Sequence, residues 1–210
     1  MRRLLMSLLA IFLIAPTLAA DPPEGFVSLF NGKDLDGWKS TGNMQVWGTD
    51  KGVIFCDKGG GGWLLSEKEY ANYELRLEYK LPKMGNSGVA LRTPRQGDPA
   101  YVGMEIQLID DVNWKGLKPT QNTGAIYDVL APAKIVNKPI GEWNAMRIVA
   151  KGRQIRVENN GEVIVDANLD DYVKEHGKKH PGILREKGHV GFQSYNFRVE
   201  FKNIYLKELK

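Results

Sequence analysis

Cysteine and histidine are scarce in this 210-residue sequence, with one and three copies. The single Cys56 cannot close an internal disulfide, and no cysteine follows the N-terminal apolar run to receive a lipid, so stability has to come from the core. Its setting, Val53-Ile54-Phe55-Cys56, describes a small buried hydrophobe rather than a nucleophile. His176 and His180 stand four apart, but Gly177, Lys178 and Lys179 between them describe a solvated loop more than a ligand pair. His189 leads into the last hairpin as a strand-edge side chain. No metal-ligand set and no cofactor motif is legible, which leaves metal dependence to a chelator control. The nucleophile-elbow pattern is missing, so acyl transfer has no support. No run of lysine and arginine interleaves with aromatics, which removes nucleic acid as a partner. The four glycines Gly59 to Gly62 lead into Trp63-Leu64-Leu65-Ser66, which has the look of a strand. A phosphate cradle needs a helix there, so flexibility or a close approach to the backbone remains as their purpose. No helical period persists for long, and no repeat of solenoid type is present.

What is present begins with an address. Arg2 and Arg3 precede an apolar run from Leu4 to Ile14, then Pro16 and the small-residue stretch Thr17-Leu18-Ala19-Ala20, the three regions of a secretory signal peptide. The run is short for a bilayer span. Residues 1–20 therefore read as a cleaved signal, with an uncleaved anchor as the alternative, and the expected location is periplasmic or extracellular with no membrane contact after cleavage. Loss of the two arginines lowers the formal charge from +4 to +2, a mildly basic, solvated surface. Residues 21–25, with two prolines, form a linker, and residues 26–210 are long enough for one all-β domain. With 42% hydrophobic and 26% charged residues the chain can fill a core.

Strand signals recur along that length. Tyr73 to Leu81 alternates almost without fault, with Tyr73, Leu75, Leu77, Tyr79 and Leu81 on one face. Asn159-Asn160-Gly161 is the strongest hairpin signal, and a second hairpin is expected around Asp50-Lys51-Gly52. A short helix is expected from Asp170, ended by Gly177 and Pro181. Many strands with turns between them define an all-β antiparallel sandwich of jelly-roll type, with short helical or irregular insertions.

Asn86 to Arg92 (NSGVALR) and Tyr101 to Asp111 (YVGMEIQLIDD) hold the chemistry. Alternation puts Glu105 and Gln107 on one face, against Ile106 and Leu108 on the other, and groups Asn86, Gly88, Ala90 and Arg92 together. A polar sheet face with an acid, an amide and a guanidinium is a usual basis for a carbohydrate cleft. Glu105 is ionised and basic if Arg92 pairs with it, and protonated and acidic if it is buried alone. The plainer reading is a salt bridge that only closes the sheet face. Asp110, at the strand end, and Tyr127 join the candidate contacts. Trp114, in the long irregular segment from Asp111 to Thr123, is the best placed tryptophan to stack on a sugar ring.

At these residues the chain resembles the bacterial 3-keto-disaccharide hydrolase domain family, once a domain of unknown function. The resemblance runs from about Phe26 to Leu209. It is carried by LFNGKDLDGW (Leu29 to Trp38), NSGVALR, EIQLID (Glu105 to Asp110), TGAIYD (Thr123 to Asp128), EWNAMRI (Glu142 to Ile148), and the closing GFQ (Gly191 to Gln193) with FKNIYLKEL (Phe201 to Leu209). It implies a concanavalin-like jelly roll whose concave sheet binds sugar, and glycosides oxidised to a ketone at C3 as substrates. A C3 ketone acidifies the C2 proton, so elimination of the aglycone from C1 followed by addition of water gives net hydrolysis. In that setting Glu105 is the candidate base or acid. Gln107, Asn86 and Gln193 bind hydroxyls, and Arg92 orients Glu105 or stabilises enolate charge. Many relatives carry a histidine shortly after the last glutamine, where this chain has Ser194-Tyr195-Asn196. Tyr195 replaces it as proton donor, or the substrate differs, or the domain only binds carbohydrate. A two-carboxylate glycoside hydrolase needs a second acid on the same face. Oligomeric state is not legible.

Overall fold

Period-two alternation sends every second side chain inward, and in the computed structural model, which describes residues 21–210, those side chains meet between two antiparallel sheets. The segment read as a signal peptide lies outside the described residues. The strands are β1 (Val27–Ser28), β2 (Trp38–Ser40), β3 (Trp47–Asp50), β4 (Val53–Cys56), β5 (Gly62–Ser66), β6 (Tyr73–Lys80), β7 (Asn86–Thr93), β8 (Met104–Ile109), β9 (Asn144–Lys151), β10 (Gln154–Asn159), β11 (Glu162–Asn168), β12 (His189–Ser194) and β13 (Val199–Glu208). Two short helices, α1 (Pro99–Val102) and α2 (Asp170–His176), stand outside the sheets. One sheet runs β11-β10-β9-β6-β13-β4-β3, with β1 pairing β13, and the other runs β2-β5-β12-β7-β8. Sequence neighbours are often not sheet neighbours, as a jelly roll requires.

The hydrophobic face expected of β6 is the core face. Leu75, Leu77, Ile148 and Val157 of the larger sheet meet Val89, Leu91, Ile106 and Leu108 of the smaller. Phe192 stacks on Phe201 of the opposite sheet at 4.1 Å and on Trp38 at 5.5 Å between ring centroids. Cys56 is part of this core, and burial pushes its thiol pKa up to about 11. The β10–β11 turn has φ of 51° at Asn160 and 83° at Gly161. Both central residues of a type I′ turn need positive φ, which asparagine and glycine tolerate. Lys51 and Gly52 repeat the geometry between β3 and β4.

One strand boundary moves. The strand expected from Tyr101 begins only at Met104, because Asp98 and Pro99 start α1: the Asp98 carboxylate accepts the Ala100 N–H at 3.1 Å, and proline opens the first turn. On the far side of β8 the TGAIYD segment adds main-chain bonds to the strand. Gly124 N–H donates to Gln107 O (2.8 Å), Gln107 N–H to Ala125 O (3.0 Å) and Tyr127 N–H to Glu105 O (2.9 Å). Glu105 and Gln107 are thereby held from both edges.

Candidate active site

Side chains that the core does not take form the outer face of the smaller sheet. On β7 these are Asn86, Gly88 and Ala90, opposite Ile109, Gln107 and Glu105 of β8. Gly88 is required there. A Cβ at that position would fall 1.9 Å from Glu105 Oε1 and 2.6 Å from its Cδ, so the carboxyl occupies the space that any larger residue would need. Trp63, Leu65, Ala90 and Ala100 form a separate apolar cluster, with Tyr101 and Tyr127 packed on it. On this floor Glu105 is only 3% exposed.

Three segments raise walls around it. The first is α1, whose Tyr101 ring stacks on His180 at 4.9 Å and meets Tyr127 edge-on at 6.4 Å. The second is the turn after β12. Asn196 accepts the Asn86 N–H at 3.1 Å and donates to Met84 O at 2.8 Å, which sets Tyr195 at the mouth, 53% exposed. The four-glycine loop backs this turn: a Cβ on Gly59 would fall 2.2 Å from Tyr195 O, so the close approach expected of the glycines is to the protein's own main chain. The third wall is the 111–123 loop, where Trp114 Nε1–H donates to Met84 O at 3.1 Å.

These walls enclose a cavity of about 150 Å³ lined by Asn86, Asp98, Ala100, Tyr101, Glu105, Gln107, Tyr127, Gln193 and Tyr195. Beside it lies a second hollow of about 250 Å³ with Trp114, Lys115, Leu117 and Gln121 in its wall. Asn86, Gln107, Tyr127 and Tyr195 line both, so the two are lobes of one cleft. Asn86 Oδ1 is buried with no hydrogen-bond partner, an acceptor left open for a ligand hydroxyl. The Tyr127 hydroxyl accepts from Gln121 Nε2 at 3.3 Å. A larger cavity, about 560 Å³, lies on the outer face of the other sheet, but Arg147, Glu158 and Glu78 in its wall are already paired. Arg147 bonds Glu74 at 2.7 and 2.9 Å and Glu158 at 2.8 Å.

The electrostatics separate the acids. Burial pushes the Glu105 pKa well above its ordinary value of 4.5, and the negative charge of Asp98 adds to the effect. Tyr127 is also raised, mainly by burial. Asp110 goes the other way. Burial alone would raise it, but donors from Met84, Val112 and Asn113 outweigh burial and hold it below its usual range. Among the described residues no group of three or more His, Cys, Asp or Glu is placed to hold a metal ion.

Two sequence expectations are corrected here. Asp110 does not line either lobe. Its carboxylate is saturated by the Met84, Val112 and Asn113 N–H groups and the Asn113 side chain, at 2.7 to 3.2 Å, and so it shapes the loop that carries Trp114. Arg92 is not the partner of Glu105. The β7–β12 register slips between His189 and Gly191, and Arg92 takes φ of 50°. Such a bulge inverts the alternation that grouped Arg92 with Gly88 and Ala90. The guanidinium is fully buried and donates to Ala71 O (2.9 Å) and Gly152 O (2.7 Å), tying β7 to the ends of the other sheet. Arg92→Ala is expected to destabilise the fold by about 3 kcal/mol, since the charge-assisted bonds from a buried guanidinium to the Ala71 and Gly152 carbonyls are lost. Urea unfolding monitored by tryptophan fluorescence checks this. Asp98, Tyr101 and Gln121 join the site without having been singled out in the sequence. The Asp98-Pro99 pair, a helix-start signal, was the available hint for the first two.

A sandwich with a buried acid at the floor of a polar cleft is a setting in which carbohydrate-active hydrolases work, and the relatives of this chain fall in that class. The model of the 3-keto-alpha-glucoside-1,2-lyase-like domain matches residues 25–207, and the chain belongs to that family. It is 28% identical to a curated 3-keto-disaccharide hydrolase of Bacteroides thetaiotaomicron, over 89% of this chain and 79% of that protein. A crystal structure from Parabacteroides distasonis, named a "putative glycosyl hydrolase", superposes with a TM-score of 0.80 at 29% identity, covering 89% of this chain and 95% of the other. The carbohydrate-binding module CBM66 of Bacillus subtilis shares the fold alone, with a TM-score of 0.56 at 12% identity over 84% of this chain and 97% of the module.

Proposed function

We propose that the protein cleaves glycosides whose sugar carries a ketone at C3, by elimination of the aglycone from C1 and addition of water. The observation that carries this reading is Glu105, a carboxyl 3% exposed at the floor of a cleft walled largely by amides and tyrosines, where burial pushes its pKa well above 4.5 and so favours the neutral form. A neutral carboxyl donates a proton, so of the two roles open to Glu105 the acid is supported. Its proton goes to the departing glycosidic oxygen. Asn86 Oδ1, Gln107 and Gln193 bind the hydroxyls of the oxidised sugar in the inner lobe, and Trp114 and Leu117 offer an apolar surface to the aglycone in the outer one. The family membership and the Bacteroides relative's name support the 3-keto substrate. The N-terminal basic-apolar-small pattern supports export to the periplasm or beyond.

Tyr195 lies where the lobes meet, exposed and without a hydrogen bond among the described residues. In this reading it steadies the bridging region and is not the proton donor. Tyr195→Phe is therefore expected to cost roughly tenfold or less in kcat/KM, as for one lost hydrogen bond to a neutral group. A loss of about a thousandfold, with a changed pH profile, would instead make it the general acid. The reading as a whole is tested by incubating the purified protein with 3-keto glucosides of several aglycones. Aglycone release supports it, and binding without turnover returns the domain to a binding role.

A further inference from the structure

Elimination across C1 and C2 needs a base for the C2 proton, and a neutral Glu105 cannot be that base. The question rests on the function proposed above, and the cavity narrows it. Asp98 is the one other carboxylate in the wall of the inner lobe. Its Oδ1 caps α1, and among the described residues its carboxylate enters no ion pair and receives no other hydrogen bond. The nearby acids are engaged: Asp128 pairs with Lys179 at 2.8 Å, and Asp110 is saturated by amides. The amides and hydroxyls of the lobe are poor bases near neutral pH. Asn86 Oδ1, nine-tenths buried and unpartnered in the same lobe, independently marks this space as one for a polar ligand.

We propose that Asp98 is the catalytic base and Glu105 its complementary acid. The Asp98 carboxylate takes the proton from C2, and the C–H electron pair delocalises onto the C3 ketone as an enolate. That pair then forms the C1–C2 double bond while the C1–O bond breaks, and the departing oxygen takes the Glu105 proton. Water returns by the reverse route: its oxygen bonds to C1, its proton goes to Glu105, and Asp98, solvent-exposed and so able to exchange its proton with water, reprotonates C2. The cycle is redox-neutral and leaves both carboxyls as they began.

The two roles separate by leaving group. A nitrophenolate departs without a proton, so Glu105→Gln is expected to stay within about tenfold of wild type on a 3-keto nitrophenyl glucoside while losing about 10²- to 10⁴-fold on an alkyl glucoside. Asp98→Asn, which keeps a helix-capping side chain, is expected to lose about 10²- to 10⁴-fold on both. In heavy water the wild-type product acquires deuterium at C2 and Asp98→Asn does not incorporate it at an enzymatic rate. Formate is expected to restore part of the rate to Asp98→Ala, a second variant whose rescue shows that the fold is intact. Wild-type C2 exchange in Asp98→Asn, or a loss confined to alkyl aglycones, overturns the assignment. A wild-type protein inert toward every 3-keto glucoside overturns the substrate reading itself and the assignment with it.

Discussion

Glu105→Gln is expected to lower turnover of a 3-keto disaccharide by about 10²- to 10⁴-fold, the usual contribution of a positioned general acid, and to make the folded protein more stable at neutral pH. The second effect follows from the direction of the pKa shift. The folded-state pKa lies well above 4.5. As pH rises past about 4.5 the unfolded chain releases this proton while the folded chain keeps it, so wild-type stability falls until the folded pKa is reached. The slope across that window is about 1.4 kcal/mol per pH unit. Glutamine cannot ionise, and its lead over wild type grows through the same window. Urea midpoints at pH 4 and pH 7 measure it. Parallel behaviour of the two proteins would show that Glu105 is not held neutral by burial.

Gly88→Ala is expected to remove activity nearly as far as loss of the acid itself, while leaving the fold in place. The added methyl would sit 1.9 Å from Oε1 and 2.6 Å from Cδ of Glu105, and the nearest atoms belong to that one side chain. The carboxyl has to swing away, because a rotamer change costs less than moving two paired strands. A displacement of about an ångström at a catalytic group is enough for roughly a hundredfold loss. The variant should therefore show a near-wild-type melting temperature with kcat reduced by that factor or more. Full activity in Gly88→Ala would mean that the seat of Glu105 is unimportant.

Much of the frame was legible because it depends on local rules. The alternation of Tyr73 to Leu81 survives as β6, and Asn160-Gly161 forms the turn its backbone preferences demand. Glu105 and Gln107 do point away from Ile106 and Leu108, and that half of the polar face could be read from period two alone. Arg92 could not, because one bulged residue inverts the alternation and nothing in NSGVALR announces it. Its burial depends on carbonyls from Ala71 and Gly152, distant in sequence and supplied by the other sheet. Asp110 failed for a different reason. A carboxylate at a strand end looks free in sequence, yet the amides of Val112 and Asn113 curl back onto it and Met84 reaches it from another turn. Asp98 sits in a stretch that reads as a polar loop, and only the fold of α1 beside β8 brings it to the wall shared with Glu105.

The central claim is that a neutral carboxyl in this cleft serves sugars already oxidised at C3. Its most direct test is the rate of aglycone release from a 3-keto glucoside measured beside the parent, unoxidised glucoside under identical conditions. Elimination requires the ketone, so release is predicted from the keto substrate and not from its parent. Comparable release from both would contradict the account and point to a two-carboxylate hydrolase acting through an oxocarbenium-like transition state.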